Sequence, residues 1–364
     1  METPPLPEHA ESRPVARTWA YVGCRTSSER RARGRAVEVY EVQRDAWRHR
    51  FSVPAGINPS YLLVAPAAGT LHCVHGDETQ VSSFRIQPDG DLRHLGEQPT
   101  HGRNPVHLAS SPDGRWVIVA NYASGSLTVH PVGESGALER ASQVLELPGD
   151  PGPHRLQQKG SHPHQVVFDP SGRWLLVPDK GADRVHTLRL DAQAGRLQWV
   201  AATRLPEGSG PRHLVFGGTV AGAGGWMVLE LSSQVVSFGF ELRTGNLTAR
   251  QRMSSVPDSF VGDNTAAGIA YLPEAGRVAV SNRGHGSIAW FRALPDGSLA
   301  PPQWTSTGGR VPRFITPNGH GELLVANEDA DRIERLKPGA GAPQCLHLAD
   351  TGSPVCIALL QGTP

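Results

Sequence analysis

Four side chains that lie far apart in the sequence have the types needed for acid–base chemistry on an anionic molecule: His164, Arg212, Glu230 and Arg283. A histidine with an unperturbed pKa of about 6.5 can act as a general base near neutral pH. A carboxylate such as Glu230 can orient the imidazole or activate a water molecule itself. Guanidinium groups remain cationic throughout and suit a permanent or developing negative charge. The set predicts a site that binds an anion and moves a proton.

Six further side chains at related points of the sequence are predicted to bind the substrate: Arg313, His162, His213, Asn121, Asp179 and Asn282. Asparagine and aspartate have an alternative role here, since they often bond the backbone of their own turn. The two histidines have an alternative as packed strand residues that bond a neighbouring sheet. For the first four residues the alternative is a set of ion pairs that holds neighbouring sheets together.

The stretch 161–190, SHPHQVVFDPSGRWLLVPDKGADRVHTLRL, shows which elements must position these side chains. Residues 164–168 have the pattern of a short strand, 169–172 that of a tight turn, and 174–177 that of a second, apolar strand. Residues 179–182 lead to a third strand, 184–190, with the two-residue alternation of a sheet. Such a small antiparallel sheet is marginal alone and must bury its faces against neighbours.

The second-strand signature, an apolar run before a polar or glycine turn, recurs seven times along the chain. Its starting points are Trp19, Leu62, Trp116, Trp174, Trp226, Val278 and Leu323. A G-x-L hairpin cue recurs with it, at Gly90, Gly136, Gly195, Gly245 and Gly297. A period of about 50 residues is typical of a propeller, whereas a β-helix needs much shorter periods. The sequence therefore predicts an all-β, seven-bladed β-propeller with four antiparallel strands per blade.

The first strand of most units opens at a proline, whose missing N–H costs no ladder bond at that position. The last opening, at Ser353, comes a few residues before the C-terminus. We therefore expect the C-terminal segment to add an inner strand to the sheet of the N-terminal strands near Tyr21 and 37–42, which closes the ring. Residues 17–364 are predicted to form one propeller domain, and residues 1–16 a disordered lead.

The antiparallel arrangement predicts where the polar side chains meet. The start of the first strand and the end of the second lie at the same edge of a sheet, because the chain runs down and comes back. The candidate histidines, Arg212 and Arg313 stand at first-strand starts, and the other candidates stand at second-strand ends. Inner strands line the central channel, so we expect these side chains to converge at its mouth on one face.

Charge and cysteine content exclude several classes of function. A formal net charge of +1 provides no global field for nucleic acid or a membrane surface, so the expected partner is a small anionic molecule. The four cysteines show no C-x-x-C spacing and are predicted to be free thiols in a reducing compartment. No apolar leader or membrane-length run is present, which favours a cytoplasmic protein. We expect no cofactor and no metal, since no close ligand spacing occurs; the oligomeric state is left open.

Several motifs resemble those of the lactonase family of seven-bladed propellers, over nearly the whole chain. They are HPH at 162–164, GPRH at 210–213, LELSS at 229–233, NRG at 282–284 and VPRF at 311–314. Members of that family include bacterial 6-phosphogluconolactonases and fungal 3-carboxy-cis,cis-muconate lactonizing enzymes, and its proposed site residues carry over to His164, Arg212, Glu230 and Arg283. Three features depart from the family pattern: Lys180 in place of the leucine of D-L-G, a long connection at 149–159, and small residues at 266–268. These departures affect which substrate is expected and leave the predicted fold unchanged.

The resemblance implies hydrolysis of a sugar δ-lactone, with conversion of 6-phosphogluconolactone to 6-phosphogluconate favoured. Such a reaction needs an activated water, a stabilised oxyanion and an anion clamp. His164 would be the base, Glu230 its partner, and the arginines the two anion sites, with Arg313 as an extra clamp. One alternative is a cycloisomerase of the 3-carboxy-cis,cis-muconate type, in which the same arginines hold carboxylates. Another is a non-catalytic propeller that binds a protein, although its expected apolar patch is not conspicuous.

Overall fold

The computed structural model describes residues 17–217, 223–338 and 344–362, which form seven four-stranded antiparallel sheets. The predicted all-β, seven-bladed propeller is confirmed. In six sheets the four strands follow one another in sequence, and the seventh combines the two ends of the chain. The lead predicted at residues 1–16 lies outside the described residues.

The first three blades contain the N-terminal strands and the C-terminal one. Blade 1 consists of β1 (Trp19–Cys24), β2 (Val37–Val42), β3 (Trp47–Val53) and β28 (Pro354–Leu360). Blade 2 consists of β4 (Pro59–Ala65), β5 (Thr70–His75), β6 (Gln80–Ile86) and β7 (Leu92–Pro99). Blade 3 consists of β8 (Pro105–Ser110), β9 (Trp116–Asn121), β10 (Ser126–Pro131) and β11 (Gln143–Glu146).

The other four blades follow in chain order. Blade 4 consists of β12 (Val167–Phe168), β13 (Leu175–Asp179), β14 (Arg184–Asp191) and β15 (Arg196–Arg204). Blade 5 consists of β16 (Pro211–Gly217), β17 (Gly224–Leu229), β18 (Gln234–Glu241) and β19 (Asn246–Ser254). Blade 6 consists of β20 (Ala266–Leu272), β21 (Arg277–Asn282), β22 (Ser287–Arg292) and β23 (Gln303–Ser306), and blade 7 of β24 (Pro312–Pro317), β25 (Leu323–Asn327), β26 (Arg332–Lys337) and β27 (Gln344–Asp350).

The described helices are single 3₁₀ turns that connect strands. Their bounds are Ser28–Arg30, Pro66–Ala68, Pro273–Ala275 and Glu328–Ala330. None of the helices in the described part of the chain has the length and apolar character needed to cross a membrane. All four cysteines are free thiols, as predicted, with Cys345 exposed and the other three buried.

The ring closes through the C-terminal strand, as predicted. Strand β28 pairs antiparallel with β1, so that Trp19 lies opposite Leu360 and Gly23 opposite Cys356. Blade 1 therefore joins segments more than 300 residues apart. Because the first and last described strands share this sheet, blade 1 packs against blade 2 on one face and against blade 7 on the other.

Two strand predictions are wrong in detail. The second strand of blade 2 begins at Thr70, whereas the apolar run at Leu62 belongs to the first strand. That run is apolar because β4 is an inner strand packed between blades. In blade 4 the regular first strand is confined to Val167–Phe168, and an isolated bridge between Pro163 and Asp179 continues it irregularly toward the mouth.

The core is divided among the blade interfaces. Seven apolar clusters fill the spaces between consecutive blades, and each contains side chains of two neighbours. For example, Trp174 of blade 4 packs in the same cluster as Phe238 of blade 5. Each blade thus buries both faces of its sheet against its neighbours, which is what fixes the position of the channel-lining strand ends.

A contact between the two repeated sequence cues recurs around the ring. A tryptophan at or near the start of the second strand contacts the hairpin glycine of the next blade in blades 1, 3, 4 and 5. A Cβ added to Gly90 would meet the Trp19 ring at 2.5 Å, one added to Gly195 would meet Trp116 at 2.2 Å, and one added to Gly245 would meet Trp174 at 2.8 Å. Trp226 continues the series by donating its indole N–H to the carbonyl oxygen of Gly297 at 2.9 Å.

Candidate active site at the channel mouth

One position of the repeated unit supplies most of the polar groups at the mouth. It is the residue that directly follows the second strand of each blade. Around the ring from blade 1 to blade 7 this position holds Arg25, Gly76, Tyr122, Lys180, Glu230, Arg283 and Glu328. A single point of the blade, repeated seven times, therefore presents six side chains, five of them charged and one a tyrosine, and one glycine at one face of the ring.

A second repeated position lies on the innermost strand. It is the residue after the opening proline, where the sheet register shifts by one residue in blades 2, 3, 5 and 7. Such a β-bulge turns the side chain out of the regular ladder and re-aims it. In chain order this position holds Ser60, Val106, His164, Arg212, Arg313 and Val355, and all six line one small cavity in the channel.

Glu230 is the centre of a buried charge cluster drawn from three blades. Its Oε1 lies 2.5 Å from Lys180 Nζ and 2.9 Å from Arg283 Nη2, and its Oε2 lies 3.0 Å from Arg212 Nε. The side chains of Glu230, Lys180 and Arg212 are each 5% exposed. Burial raises the pKa of the Glu230 carboxyl, but the charges of Arg283, Lys180 and Arg212 outweigh burial and hold that pKa well below its usual range.

The surroundings of Glu230 therefore differ from those expected from the sequence, in which this carboxylate orients the His164 imidazole or activates a water molecule. Its carboxylate is ionised and surrounded by cations, so it is a poor acceptor for a proton from water. Among the described residues no hydrogen bond joins it to His164. The geometry assigns it to holding Lys180, Arg212 and Arg283 in place.

The two arginines predicted from the sequence are fixed by backbone oxygens as well as by Glu230. Arg212 donates from Nη1 to the carbonyl oxygen of Ala267 at 2.7 Å. Arg283 donates from Nε to the carbonyl oxygen of Thr265 and from Nη2 to that of Ala266, both at 3.4 Å. Its side chain is 16% exposed, so Arg283 lies nearer the rim than Arg212.

His164 lies in the same cavity as Arg212 and is partnered by another histidine. Its Nδ1 is 3.3 Å from Nε2 of His213, so one of these two nitrogens donates to the other. Both rings are buried. The cavity that they share with Arg25, Arg212 and Arg313 measures about 20 Å³, which is room for one water molecule.

The pKa of His164 departs from the unperturbed value assumed in the sequence argument. Burial lowers it, and the charges of Arg212, Lys180 and Arg313 lower it further, so that the pKa lies well below 6.5. The pKa of His213 is lowered in the same way, by burial first and then by Arg212. Both imidazoles are therefore neutral at neutral pH and present one N–H and one lone pair each.

A second ion-pair network joins blades 1, 2 and 7 at the other side of the cavity. Arg25 contacts Asp77 Oδ2 from Nη1 at 3.2 Å and Glu328 Oε1 from Nε at 3.3 Å. Arg313 Nη1 lies 3.7 Å from the other oxygen of Glu328. Burial and the charge of Arg313 lower the pKa of Arg25 to about 10. Arg313 thus stands at the mouth as predicted, and Arg25 joins it there.

Three of the predicted substrate-binding residues form hydrogen bonds within their own blade or to the connection that precedes it. Asn121 donates to the carbonyl oxygen of Thr100 at 3.2 Å, Asn282 donates to that of Ser255 at 2.6 Å, and both side chains are fully buried. Asp179, also fully buried, accepts from the backbone N–H groups of 162, 181 and 182 and bonds His186. These hydrogen bonds hold the turns that carry the site, and a direct role of the three side chains in binding a substrate remains a prediction.

The remaining predicted histidine supports the rim. His162 stacks on the ring of Tyr122 with centroids 4.6 Å apart, and its Nδ1 bonds the carbonyl oxygen of Tyr122 at 2.8 Å. His213, besides its bond to His164, lies 5.5 Å from the ring of His107. Both candidates named in the sequence argument thus lie next to the cluster, with His213 in the cavity and His162 behind Tyr122.

Sequence reasoning did not place Lys180 and Arg25 in the site. The signal was present in the repeat, because an asparagine or aspartate closes the second strand in four blades and the next residue points to the mouth. Asn121-Tyr122, Asp179-Lys180, Asn282-Arg283 and Asn327-Glu328 show this pairing. From the first two pairs the sequence argument named Asn121 and Asp179 and left out Tyr122 and Lys180.

The described residues contain no group of three or more histidine, cysteine, aspartate or glutamate side chains arranged to hold a metal ion. His162, His213, Asp179 and Glu230 each have the protein partners given above. The expectation that the protein uses no metal remains a prediction.

Comparisons with known proteins decide the family. The model of a family described as "Lactonase, 7-bladed beta-propeller" matches residues 19–359. The chain is a member of this lactonase family. A 6-phosphogluconolactonase of Bacillus subtilis is 29% identical over 93% of this chain and 97% of its own length. A 6-phosphogluconolactonase of Formosa agariphila is 30% identical over 76% and 80%, respectively.

Solved structures agree with this assignment to the lactonase family. A periplasmic gluconolactonase of Pseudomonas aeruginosa superposes with a TM-score of 0.84 at 29% identity, over 95% of this chain and the whole of that chain. The relatives therefore include enzymes named for a phosphorylated lactone and one named for a lactone without phosphate. The family resemblance drawn from the motifs is confirmed.

Proposed function

We propose that this protein is a lactone hydrolase whose substrate is 6-phosphogluconolactone, converted to 6-phosphogluconate. The observation that carries the proposal is the excess of buried positive charge at the mouth. Lys180, Arg212 and Arg283 surround the single carboxylate of Glu230, and Arg25 and Arg313 share Glu328 nearby. Burying uncompensated cations is costly, so a bound anion is the natural complement of this cluster.

The cavity supports a water-activating role for His164. If Nδ1–H of His164 donates to His213 Nε2, the lone pair of His164 Nε2 is left to accept a proton from water. The resulting hydroxide attacks the lactone carbonyl carbon, the ring C–O bond breaks, and His164 returns the proton to the leaving alkoxide. Arg212, which lines the same cavity, would stabilise the oxyanion.

Substrate charge would also strengthen the base. The pKa of His164 is held down by burial and then by the cations Arg212, Lys180 and Arg313. A phosphate bound among these cations offsets their charge and therefore raises the pKa of His164 toward its usual value. A phosphorylated lactone should thus react with a higher kcat, as well as bind more tightly, than one without phosphate.

The relatives named 6-phosphogluconolactonase support this function over the cycloisomerase and the non-catalytic binding module. A cytoplasmic location belongs to the same proposal, because the free thiols suit a reducing compartment. The periplasmic gluconolactonase relative is the reason to test the compartment directly, by fractionating cells that express the chain.

The test compares kcat/KM for 6-phosphogluconolactone, unphosphorylated gluconolactone and a 3-carboxymuconate at several salt concentrations. We expect the phosphorylated lactone to be favoured by about tenfold or more over gluconolactone, and the preference to shrink as salt rises. Equal rates on the two lactones would contradict the anion clamp. Turnover of the muconate alone would replace the hydrolase by the cycloisomerase.

A further inference from the structure

A lysine at the channel mouth and the longest described connection between blades form one structural unit. Lys180 directly follows the second strand of blade 4, and a long connection, residues 147–166, links blades 3 and 4. The other described connections between blades have three to eleven residues. In the folded chain Gln157 Oε1 of this connection accepts from Lys180 Nζ at 2.6 Å, and Gln158 Nε2 donates to the backbone oxygen of Lys180 at 3.0 Å.

The connection therefore holds Lys180 in a defined place. The backbone N–H of Lys180 donates to the carbonyl oxygen of His162 at 3.1 Å, which ties the residue to the HPH motif as well. Gln158 is 1% exposed, so this anchor is protected from water. The Nζ of Lys180 uses one proton for Glu230 and one for Gln157. An ammonium group has three protons, and in the described part of the chain the third has no hydrogen-bond acceptor, although Nζ also lies 5.6 Å from the centroid of the Tyr122 ring. We assign this third proton to a ligand.

Neutralising Glu230 does not require Lys180. Arg212 and Arg283 already contact both oxygens of that carboxylate, so the lysine adds a cation to a cluster that is positive without it. Its burial disfavours the charged form, and the pKa of Lys180 is lowered mainly for this reason. A buried cation that is not required to neutralise a neighbouring carboxylate lowers stability. We therefore attribute its presence to the binding of a ligand.

We propose that Lys180, held by Gln157, is the specificity-determining residue with which this protein selects a lactone that carries a dianionic substituent. This inference rests on the proposed function and names the side chain that contacts the phosphate. Arg283, on the same oxygen of Glu230 and nearer the rim, completes the clamp. Arg212, which lines the same cavity as His164, would then bind the oxygen of the reacting carbonyl group.

The test uses three variants. Lys180→Met removes the charge and keeps the length of the side chain. Gln157→Glu leaves the lysine but places a carboxylate against it, which competes with the phosphate. Lys159→Met is the matched control, because it removes one positive charge from an exposed position of the same connection.

In Lys180→Met and in Gln157→Glu, the ratio of kcat/KM for 6-phosphogluconolactone to that for gluconolactone should fall about ten- to a hundredfold, mostly through KM for the phosphorylated lactone. In Lys159→Met the ratio should stay within about twofold, as expected for a solvated charge. Gln157→Glu is the decisive variant. If Lys180 merely anchored the connection, a carboxylate at 157 would strengthen the anchor and leave the ratio unchanged, which would overturn the proposal.

A binding measurement separates failure of this inference from failure of the proposed function. Calorimetric titration with 6-phosphogluconate and with gluconate requires no turnover. If wild type hydrolyses neither lactone yet prefers 6-phosphogluconate, and Lys180→Met loses that preference, the hydrolase proposal fails and the role of Lys180 stands. If wild type binds both acids equally, or Lys180→Met weakens both equally, the role of Lys180 is wrong. Thermal melting of each variant confirms that folded proteins are compared.

Discussion

The His164 imidazole illustrates how neighbours, rather than residue type, determine what a side chain does. Its ring is buried, it bonds His213 at 3.3 Å, and three cations lower its pKa. In the free protein it is therefore a neutral group with a lone pair at any pH above the acid range. Its base strength depends on the anion that enters the cluster, which couples recognition of the substrate to catalysis.

Replacing His164 by alanine should reduce kcat on the preferred lactone about 10²–10⁴-fold, the range expected for loss of a general base. The measurement is steady-state kinetics with the melting temperature recorded alongside. His130→Ala is a suitable control, because His130 is also buried and bonds a backbone oxygen, that of Glu139, but lies in the body of blade 3. The control should melt earlier and keep its kcat. If both variants melt earlier and both keep near-normal turnover, His164 is a structural residue and the catalytic base lies elsewhere.

At the scale of the blade, the contact between a tryptophan and a hairpin glycine sets the distance between consecutive sheets. Trp116 lies against Gly195 and donates its indole N–H to the carbonyl oxygen of Ala192 at 3.0 Å, so the ring is fixed at both ends. Gly195 also has a φ of +63°, which an alanine adopts only with strain. Blade spacing in turn fixes where the strand ends, and hence the site residues, meet.

Gly195→Ala should therefore lower the free energy of unfolding by about 2–4 kcal/mol, since overpacking against Trp116 adds to the strain of a left-handed alanine. Gly114→Ala is the matched control: its φ is +71°, but a Cβ there would meet nothing within 4 Å. The control should lose about 1 kcal/mol, from backbone strain alone. Urea unfolding of the three proteins measures both values. Equal losses would show that the tryptophan contact is not tight.

At the scale of the whole molecule, closing the ring buries histidines from several blades. The pKa of His107 is lowered to about 3, by burial first and then by Arg212, and that of His72 to about 4, by burial first and then by His130. Burial is also the main cause of the lowered pKa values of His164 and His213. The unfolded chain exposes all of them to water, where their ordinary pKa is about 6.5.

Stability should consequently decrease as the pH falls from about 6.5 toward 5, because the unfolded chain takes up protons that the folded protein does not accept. Each such histidine contributes up to about 1.4 kcal/mol per pH unit, a slope approached near pH 5, where the unfolded side chain is almost fully protonated. His107→Gln should make the dependence shallower by one proton, whatever its effect on stability at pH 7. Urea unfolding at pH 7, 6 and 5 measures the slope. An unchanged slope in the variant would mean that His107 is protonated in the folded protein.

Much of the architecture was determined by local sequence. A period of about 50 residues, prolines at first-strand starts and glycine hairpins predict seven blades, because each signal reflects a backbone requirement within a few residues. The same repeat predicted that His164, Arg212, Glu230 and Arg283 converge. The error at Leu62 arose because the inner strand β4 contributes apolar side chains to the clusters on both of its faces, so its sequence has the same apolar run as a second strand.

Only the tertiary structure determined the charge states of the site residues and the side chains with which they interact. Glu230 is surrounded by cations from blades 4, 5 and 6, and the field at His164 includes Arg313 of blade 7, so neither pKa follows from neighbours in sequence. Lys180 and Gln157, 23 residues apart, meet because the long connection folds back against the strand end that carries Lys180. Electrostatic interactions depend on distance and burial, which the ring closure sets, whereas strand and turn preferences depend on the chain itself.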